Sequence, residues 1–465
     1  MNQQLSRILI AATGSGNGKT TLTCGFLHAL KERNMKVAAF KCGPDYIDPM
    51  FHTNVVGIPS RNLDLFFSDV DSVNQLLCKH GESSELAVIE GAMGFYDGIG
   101  GISSEASSYD LADKTQTPVI LLVDCSGKSV SIIAEIKGFL SYVPESHIKG
   151  ILLNKISPML YEEMKQQIEE QLPIRVCGYM PKIDACSLES RHLGLITAEE
   201  VLNLKEIVTN IATQIEKTVD VDGIIDIAKC APPLSEKSPA IKNTLPTPVR
   251  IAVARDKAFC FYYQDNLDLL RDSGGEIIYF SPLQEENLPE DISGIIIGGG
   301  YPELYLEKLS ENVAIRNQIK DAIDKGMPCI AECGGFMYLH EELENREGLT
   351  LPMVGAIKGK SFPTEKLSRF GYVTLTAERD TILCKKGESI KGHEFHYWYS
   401  TNPGNAFLAE KPLRKAKWNC IITEKNMVAG YPHLYFYNQP EIAWNFVNAC
   451  TEFKKDVVNK KTPYL

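Results

Sequence analysis

Apolar and polar residues follow two distinct patterns along the first half of the chain. Short runs of apolar, often β-branched residues are typical of buried strands, and they are separated by longer segments in which apolar residues recur with the spacing of a helix. Strands that alternate with helices in this way form a parallel sheet covered by helices on both faces. Between residue 7 and about residue 215 the strand-like runs are RILIAA, KVAAFKC, LAVIEGA, PVILLVDC, GILLNK and RVCGYM, and TTLTCGFLHALKER is a clear helical segment.

A second α/β pattern begins near residue 249. Residues 230–248 hold five prolines and few large apolar side chains, which is typical of a linker between domains. Beyond them, RIAVARD, GEIIYFSP, SGIIIGGG and PCIAECGG have the pattern of buried strands, and a more β-rich stretch follows through GYVTLTAE and GHEFHYWYS. The predicted organisation is a parallel α/β domain over 1–229, a linker over 230–248, a second α/β domain over 249–445 and a C-terminal tail over 446–465.

Composition and charge narrow the function classes without changing this architecture. The 465 residues are 44% hydrophobic and 23% charged, as in ordinary globular proteins, and the chain is too long for one core. The apolar runs are far shorter than the roughly 18 residues of a membrane span, and the N-terminus lacks a signal-peptide cleavage pattern. The net charge of -11 disfavours a broad nucleic-acid surface, and 13 scattered cysteines without a CxxC pair are typical of reduced thiols. We therefore expect a cytoplasmic protein that binds neither nucleic acid nor membrane.

The stretch RILIAATGSGNGKTTLTCGFLHAL predicts a nucleotide phosphate site. It combines a strand, a glycine-rich turn and a helix, and backbone N–H groups in such a turn cradle phosphate oxygens. Lys19 would reach the β- and γ-phosphates, and the Thr20 hydroxyl would ligate Mg²⁺. The match is imperfect, because the usual motif has its first glycine where Thr13 stands. The predicted ATP-binding residues are Gly14, Gly16, Asn17, Gly18, Lys19, Thr20, Thr21, Lys41 and Asn154. Asn154 and Lys155 end the strand-like run GILLNK, a position suited to recognising the adenine edge.

Two acidic pairs follow predicted strands of the same sheet, Asp45 with Asp48 in FKCGPDYIDP and Glu90 with Asp97 in LAVIEGAMGFYDG. Open α/β sheets bind ligands at the C-terminal ends of their strands, and a magnesium nucleotide needs carboxylates there. Four acids beside a triphosphate repel it unless a cation lies between them. We therefore predict that Asp45 and Glu90 bind Mg²⁺ together with Thr20. Asp48 and Asp97 are left for the reacting carboxylate of a substrate and for a second metal ion or a proton that this carboxylate would need.

A cysteine in the second domain lies where a nucleophile is expected. A buried strand ends in AECGGF and passes directly into a helical pattern, so Cys333 has the setting of a nucleophile elbow, a strained turn that exposes its side chain. His433, in VAGYPHLYF, follows another strand and could take the thiol proton. Backbone N–H groups of the loop IIIGGGYPE could face a tetrahedral oxyanion. The predicted catalytic residues are Cys333 and His433, with Gly299, Gly300 and Gly334 at the oxyanion.

These motifs resemble those of a known family. AECGGFMYL, IGGGYPE, GHEFHY and GYPHLYF are similar to the class I glutamine amidotransferase domain of the corrinoid amidotransferases. ATGSGNGKTT, FKCGPDYIDP, IEGAMGFYDG and RHLGL resemble the ATP-binding domain of the same enzymes, which is related to dethiobiotin synthetase. The motifs occur in order across nearly the whole chain. The resemblance implies a P-loop amidoligase domain over 1–229 and a flavodoxin-like glutamine amidotransferase domain over 249–445.

The resemblance also implies an ATP-dependent amidation made of two linked reactions. L-Glutamine is hydrolysed at Cys333 with His433 as the base, and the ammonia passes to the first domain. There, ATP with Mg²⁺ phosphorylates the a and c carboxylates of cobyrinic acid or a related tetrapyrrole, and ammonia displaces phosphate to give amides in cobalamin biosynthesis. Arg191 and His192, in SRHLGL, would contact the acidic rim of the corrinoid. A homodimer is plausible from the same resemblance.

One departure from the family pattern affects the histidine. Many glutamine amidotransferases continue it as His-x-Glu and so complete a triad, whereas Tyr435 stands two residues beyond His433. We therefore expect a Cys–His dyad without an orienting carboxylate, with slower use of glutamine and good substitution by free ammonia.

The sequence leaves alternatives open. A sister amidotransferase acting on hydrogenobyrinic acid or nickel-sirohydrochlorin would share the fold and chemistry and differ only in its pocket. A P-loop switch ATPase usually carries a lysine four residues before the glycine of GKT, where Gly14 stands, and it would leave Cys333 and His433 unexplained. His393 and His396 in GHEFHYW are spaced like metal ligands, but no nearby cysteine or acidic run completes a zinc site.

Overall fold

The chain folds into two compact units, residues 1–239 and 240–465, and each unit has its own hydrophobic core. The predicted order of two α/β domains is thereby confirmed. Within the part of the chain that is described, no helix has both the length and the apolar character needed to cross a membrane. The structure, a computed structural model, describes residues 2–182, 204–235, 248–437 and 439–461.

The first unit is built around a parallel seven-stranded sheet. Its strands are β2 (Arg7–Ala12), β3 (Val37–Cys42), β4 (Ser60–Leu63), β5 (Leu86–Glu90), β6 (Val119–Asp124), β7 (Ile148–Asn154) and β8 (Arg175–Met180). The strand order is β4-β3-β5-β2-β6-β7-β8. Strand β2 therefore has later strands on both sides, and the turn after it lies where the strand order reverses, the usual ligand position in such sheets.

Helices join these strands and bury them. Every residue of β2 and β5 is buried, as expected for a parallel sheet covered on both faces. The first and seventh helices pack closely at Gly25, where an added Cβ would lie only 2.3 Å from Ile211 Cγ2. The helices are α1 (Lys19–Glu32), α2 (Ile47–Met50), α3 (Val70–Gly81), α4 (Ser108–Thr115), α5 (Ser131–Ser141), α6 (Pro158–Gln171), α7 (Leu204–Thr218) and α8 (Val221–Lys229), with a π-helical turn at Phe51–Val56 and a 3₁₀ turn at Ile99–Gly101.

A short ribbon closes the first unit. Strand β1 (Asn2–Gln3) pairs antiparallel with β9 (Leu234–Ser235). The buried Arg7 guanidinium donates nearby to the carbonyl oxygens of Thr115, at 2.7 Å, and Pro232, at 2.9 Å. The first unit therefore extends beyond residue 229, into the segment predicted as a linker.

The second unit has a six-stranded sheet at its centre. Its strands are β10 (Val249–Ala254), β11 (Gly275–Phe280), β12 (Ile292–Ile297), β13 (Cys329–Glu332), β22 (Ile422–Glu424) and β23 (Met427–Gly430). Their order is β11-β10-β12-β13-β23-β22, and all neighbours are parallel except β22 and β23. Strand β13 lies inside this sheet and ends one residue before Cys333.

The β-rich stretch predicted after these strands forms two further sheets. One is mixed, in the order β15-β14-β16-β19, and the other is antiparallel, in the order β21-β20-β17-β18-β24. The last pairing places His393 beside His433. The strands are β14 (His340–Glu344), β15 (Thr350–Pro352), β16 (Ile357–Pro363), β17 (Arg369–Ala377), β18 (Ser389–His396), β19 (Trp398–Ser400), β20 (Phe407–Glu410), β21 (Lys417–Cys420) and β24 (His433–Leu434).

A long helix ends the described chain. It spans Glu441–Lys461, packs against β10 and β12, and buries Phe446 and Cys450. The predicted boundary between domain and tail at 445 therefore falls inside one helix of the second unit. The helices of this unit are α9 (Gln264–Asp272), α10 (Leu306–Glu311), α11 (Val313–Asp324), α12 (Gly334–Leu339) and α13 (Glu441–Lys461), with a 3₁₀ turn at Pro302–Tyr305.

Candidate active sites

The turn after β2 forms a compact glycine loop. Gly16 and Gly18 have φ of 75° and 89°, in the left-handed region that favours glycine, and Gly18 is the N-cap of α1. The helix begins at Lys19, whose ammonium donates to the carbonyl oxygens of Gly14, at 3.2 Å, and Met93. Burial lowers the pKa of Lys19 to about 8. The lysine of the predicted phosphate site thus lies folded over its own loop.

Asn154 supports this loop from the end of β7. Its Nδ2 donates to the carbonyl oxygen of Asn17 at 2.8 Å, and Asn17 Nδ2 donates to Thr13 Oγ1 at 3.0 Å. Asn154 Oδ1 accepts from the backbone N–H of Lys155 at 3.1 Å. Both polar ends of the Asn154 amide are therefore used within the protein, and its Nδ2 contacts the glycine loop. Its contact with adenine stays a prediction.

A cluster of one hydroxyl, two carboxylates and one ammonium lies beside the loop. Thr20 Oγ1 lies 2.7 Å from Glu90 Oε1 and 3.1 Å from Asp48 Oδ1. Lys41 Nζ lies 2.5 Å from Asp48 Oδ2 and 3.1 Å from Glu90 Oε1. Lys41 and Glu90 are partners in the β3–β5 register, which brings these side chains to the same edge of the sheet. The next residue of α1, Thr21, is partly buried.

The charges of this cluster stabilise one another. Burial alone would lower the pKa of Lys41, but the charges of Asp48 and Glu90 outweigh burial and raise it above its ordinary value. In spite of burial, Lys41 holds the pKa of Asp48 well below its usual range. Burial and the charge of Asp48 raise the pKa of Asp45 above its ordinary value. The two neighbouring carboxyls therefore differ, because Lys41 favours the ionised form of Asp48 and burial favours the protonated form of Asp45.

The acids that contact Thr20 are not the pair that the sequence analysis assigned to the metal. Thr20 contacts Asp48 and Glu90, whereas Asp45 was predicted to share the metal with Thr20. Asp45 Oδ1 accepts from the backbone N–H of Ile47 at 3.0 Å and lies next to Asp48. Because Asp45 and Asp48 adjoin each other, either could approach a cation held at Thr20, and the division between them stays a prediction.

His52 belongs to the same cluster and carries no recognisable motif in the sequence. Its Nε2 lies 2.9 Å from Glu90 Oε2, and its Nδ1 lies 3.0 Å from Ser60 Oγ. The imidazole is fully buried and comes from the π-helical turn, an irregularity that often marks functional sites. His52 therefore fixes the second oxygen of Glu90 while the first faces Thr20 and Lys41.

Asp97 belongs to a turn that contacts the end of β2. The turn is anchored by a hydrogen bond from the Phe95 N–H to the carbonyl oxygen of Ala12 at 2.9 Å. Asp97 Oδ2 accepts from a backbone N–H of the same turn at 3.0 Å. This predicted substrate residue is thus placed close to the glycine loop. Arg191 and His192, also predicted for substrate, lie outside the described residues.

Cys333 occupies a strained turn in the second unit. It follows β13 directly, with φ of 48° and ψ of −105°, and α12 begins at the next residue. A non-glycine residue with this conformation is unusual and is found chiefly at functional sites. A Cβ added at Gly335 would lie 2.0 Å from the carbonyl oxygen of Ile297, so the tight turn requires glycine there. The backbone therefore has the geometry expected of a nucleophile elbow.

His433 is paired with Cys333 and with a carboxylate that the sequence analysis did not identify. The buried imidazole is hydrogen-bonded to the Cys333 thiol, and its Nδ1 lies 3.6 Å from Glu332 Oε2. Burial alone would lower the pKa of His433, but the charges of Cys333 and Glu332 raise it to about 10. The sequence analysis found no carboxylate to orient the imidazole, whereas the structure places the Glu332 carboxylate beside it. The Cys–His dyad itself stays a prediction.

The glycines predicted for the oxyanion lie against the catalytic pair. A Cβ added at Gly299 would lie 2.4 Å from Cε1 of His433, and one added at Gly334 would lie 3.0 Å from the backbone N of Gly300. Gly300 has a φ of 153°, and a Cβ there would lie 2.2 Å from the carbonyl oxygen of Ala258. A side chain at Gly299 would therefore overlap the imidazole, and side chains at Gly300 and Gly334 would overlap neighbouring backbone. Stabilisation of an oxyanion by these glycines stays a prediction.

Two family models match the chain, one in each unit. Residues 8–196 match the CobQ/CobB/MinD/ParA nucleotide binding domain. Residues 250–441 match the CobB/CobQ-like glutamine amidotransferase domain. The glycine loop and acidic cluster fall in the first match, and the thiol and imidazole fall in the second.

Curated relatives are similar over nearly their whole length. The cobyrinate a,c-diamide synthase of Caldanaerobacter subterraneus subsp. tengcongensis is 40% identical over 450 residues, which cover 96% of this chain and 98% of that protein. The enzyme of the same name from Priestia megaterium is 37% identical, with 97% and 98% covered. That of Listeria monocytogenes serotype 4b is 42% identical, with 93% and 97% covered.

Proposed function

Because the chain belongs to the cobyrinate a,c-diamide synthase family, we propose that its two sites divide the family reaction, with Lys19 and Glu90 acting on ATP and Cys333 acting on glutamine. The enzyme is an ATP-dependent, glutamine-hydrolysing ligase that amidates the a and c side-chain carboxylates of cobyrinic acid in cobalamin biosynthesis. One observation carries the assignment of sites: a phosphate loop beside acids and a thiol beside an imidazole occur on the same chain.

The second unit supplies nitrogen. The imidazole of His433 takes the proton of the Cys333 thiol, and the thiolate attacks the side-chain carbonyl carbon of glutamine. Backbone N–H groups of Gly299 and Gly334 would stabilise the oxyanion, and the protonated imidazole returns its proton to the leaving nitrogen, so that ammonia departs. Water then hydrolyses the thioester to glutamate and restores the thiol.

The first unit activates the carboxylate. Backbone N–H groups of the loop and the ammonium of Lys19 would hold the phosphates of ATP, and a substrate carboxylate oxygen attacks the γ-phosphorus as ADP leaves. Ammonia then adds to the acyl carbon of the acyl phosphate, phosphate departs, and an amide remains. Lys41 supports this step because it neutralises part of the acidic cluster that would otherwise repel the triphosphate.

The residues of the cluster fit a magnesium ion. Mg²⁺ prefers hydroxyl, carboxylate and phosphate oxygens, and the Asp48 and Glu90 carboxylates each place one oxygen beside the Thr20 hydroxyl, at 3.1 Å and 2.7 Å. His52 orients Glu90 by its hydrogen bond to the second carboxylate oxygen. When bound, the ion would offset the charge of the phosphates, and Asp45 next to Asp48 would be a further ligand.

The remaining substrate assignments rest on the family resemblance. Asp48 and Asp97 are assigned to the reacting carboxylate, and Arg191 and His192 are assigned to the acidic rim of the corrinoid. A cytoplasmic homodimer is proposed on the same basis, and light scattering of the purified protein would measure twice the monomer mass if the dimer forms.

The function is tested with purified protein, ATP, Mg²⁺, glutamine and one macrocycle per reaction. Mass spectrometry should show two successive conversions of carboxylate to amide with cobyrinic acid, both dependent on ATP. Conversion of hydrogenobyrinic acid or nickel-sirohydrochlorin in preference to cobyrinic acid would reassign the macrocycle. ATP hydrolysis without conversion of any macrocycle would instead contradict the ligase assignment and favour a switch ATPase.

A further inference from the structure

The side chains of Glu332 and Cys333 approach the same imidazole although they are neighbours in the chain. Adjacent residues of an extended strand normally point to opposite faces of the sheet. Strand β13 ends at Glu332, and the left-handed φ of 48° at Cys333 breaks this alternation. The strained turn therefore does more than expose a thiol, because it lets two consecutive side chains meet one ring.

The Glu332 carboxylate is held in place by the strand that carries the histidine. Its Oε1 accepts from the backbone N–H of Leu434 at 3.2 Å, and its Oε2 lies 3.6 Å from Nδ1 of His433. The Glu332 side chain is only 13% exposed. With Nδ1 facing this carboxylate, Nε2 is the ring nitrogen left for the thiol of Cys333.

The residue at the usual position of the triad carboxylate is a tyrosine in this chain. Tyr435, two residues beyond His433, is almost fully buried, and its ring packs edge-on against Tyr263 with 5.2 Å between the ring centroids. A tyrosine supplies no carboxylate to the imidazole. The carboxylate beside the imidazole therefore comes from Glu332, at the end of β13 and next to the nucleophile, and not from the segment that carries the histidine.

The charges around the ring agree with this arrangement. His393 on β18 is the register partner of His433, and burial together with the charge of His433 lowers its pKa to about 3. His393 is therefore neutral, and the charged neighbours of the imidazole are Cys333 and Glu332, both of which favour the imidazolium. The raised pKa of His433 means that its ring readily accepts a proton and holds it below a pH of about 10.

We propose that Glu332 is the positioning residue of the glutaminase site: its carboxylate accepts the Nδ1 proton of His433 and holds Nε2 toward Cys333. The role corresponds to the third member of a catalytic triad, supplied here by the residue before the nucleophile. This inference rests on the proposed hydrolysis of glutamine at Cys333. The thiol proton moves to Nε2 and from there to the departing ammonia, while the Nδ1 proton stays between imidazole and carboxylate, so Glu332 itself takes no proton.

The variants Glu332→Ala, Glu332→Gln and Glu332→Asp test this role in the full-length enzyme. Glutamine-dependent amidation should fall by about 10²-fold in Glu332→Ala, the scale of a displaced general base, with ammonia-dependent amidation unchanged. Glu332→Asp should recover part of the loss because it restores a carboxylate. Glu342→Gln is the matched control, since Glu342 is exposed on the next strand, and it should behave as the wild type.

Two further readouts separate positioning from folding. Without the Glu332 charge the pKa of His433 falls, so the alkaline limb of the glutaminase pH profile should move to lower pH in Glu332→Gln and stay in place in Glu342→Gln. In a His433→Ala background, Glu332→Ala should cause no additional loss, because a residue that acts through the imidazole has nothing left to orient.

The possible results are distinguishable. Wild-type glutamine use and an unmoved pH profile in both Glu332→Ala and Glu332→Gln would overturn the inference, as would equal loss of glutamine- and ammonia-dependent amidation, which indicates a structural residue. Additive losses in the His433→Ala background would also contradict it. A wild-type enzyme that uses ammonia but never glutamine would instead contradict the proposed function of the second unit.

Discussion

Lys41 is a permanent counter-ion inside the acidic cluster. It is buried between Asp48 and Glu90, and the three charges form a connected group with the Thr20 hydroxyl. Removing one partner of such a buried pair typically costs about 3–5 kcal/mol, because the other charge is left uncompensated in a low dielectric. The cluster is therefore preassembled by folding, so the oxygens that we propose for the metal nucleotide are already oriented.

Glu90→Gln should abolish amidation with glutamine and with ammonia alike, because it removes a charge that faces Thr20 and Lys41. We expect a loss of at least about 10²-fold in kcat with either nitrogen source, the scale associated with altered metal surroundings. Asp45→Asn should behave in the same way if Asp45 is a ligand. The measurement is the rate of amide formation, with Glu162→Gln, an exposed carboxylate on α6, as control. Normal activity would remove the substituted residue from the metal site.

Cys333→Ala should abolish the glutamine-dependent reaction by about 10³-fold or more, because the thioester can no longer form. Ammonia-dependent amidation should remain close to that of the wild type, since the thiol takes no part in activating the carboxylate. Both rates are measured by mass spectrometry of the macrocycle. Cys230→Ala, which removes an exposed thiol of the first unit, is the control. Loss of both activities to the same extent would show that Cys333 is structural.

Sequence reasoning found the residues that belong to local motifs and missed those that meet across the fold. Lys19, Thr20 and Cys333 lie in contiguous stretches whose backbone geometry is dictated by glycines, so their placement could be predicted. His52 reaches Glu90 from a turn 38 residues earlier, and no local pattern announces that contact. Glu332 was visible in AECGG, but strand alternation would direct it away from the thiol, and only the observed φ at Cys333 reverses this.

At the scale of elements, the packing of α1 against α7 holds the glycine loop in place. Helix α1 begins at Lys19, and its buried face contacts α7 through residues such as Ile211. Gly25 lets the two helices approach, since an added Cβ would overlap the Ile211 side chain. The predicted strand–turn–helix unit is confirmed. The α7 contact was not predicted. In the sequence, Gly25 is only a residue of low helix propensity, and nothing in its neighbourhood shows that Ile211 packs against it.

Two glycine-to-alanine substitutions in helices should have opposite effects on stability. Gly25→Ala should destabilise the protein by about 1–3 kcal/mol because it overpacks the α1–α7 contact. Gly138→Ala, in α5 with no atom within 4 Å of an added Cβ, should stabilise it by about 0.5–1 kcal/mol through reduced chain entropy. Thermal unfolding midpoints of the two variants and the wild type provide the comparison. An unchanged unfolding midpoint for Gly25→Ala would contradict this, because it would mean that α7 moves aside with no loss in the free energy of unfolding.

On the scale of the whole molecule, the chain keeps activation and nitrogen supply in separate cores. The cluster around Glu90 belongs to the first unit, and the thiol belongs to the core of the second. A carboxylate is inert toward ammonia until it is activated, and free ammonia is scarce at neutral pH because most of it is protonated. One chain that carries both functions therefore supplies the two halves of one reaction in a fixed ratio.

Lys19→Met should separate the two chemistries. The loss of the phosphate-binding ammonium should remove ATP-dependent amidation with either nitrogen source, while Cys333 remains reactive because it lies in a unit with its own core. Peptide mass spectrometry after treatment with the glutamine analogue 6-diazo-5-oxo-L-norleucine measures that reactivity directly. Lys137→Met, at an exposed position of α5, is the control. Absence of labelling in Lys19→Met alone would show that the second site depends on the first.

The adjacency of Glu332 and Cys333 has a mechanical consequence. One peptide bond joins the residue of the nucleophile to the residue whose carboxylate faces its base, so both side chains are anchored at the end of β13. In the His-x-Glu arrangement the carboxylate is instead anchored beside the histidine. A displacement of the segment that carries His433 would here separate the imidazole from both groups at once, so the proposed site would lose its base and its positioning carboxylate together.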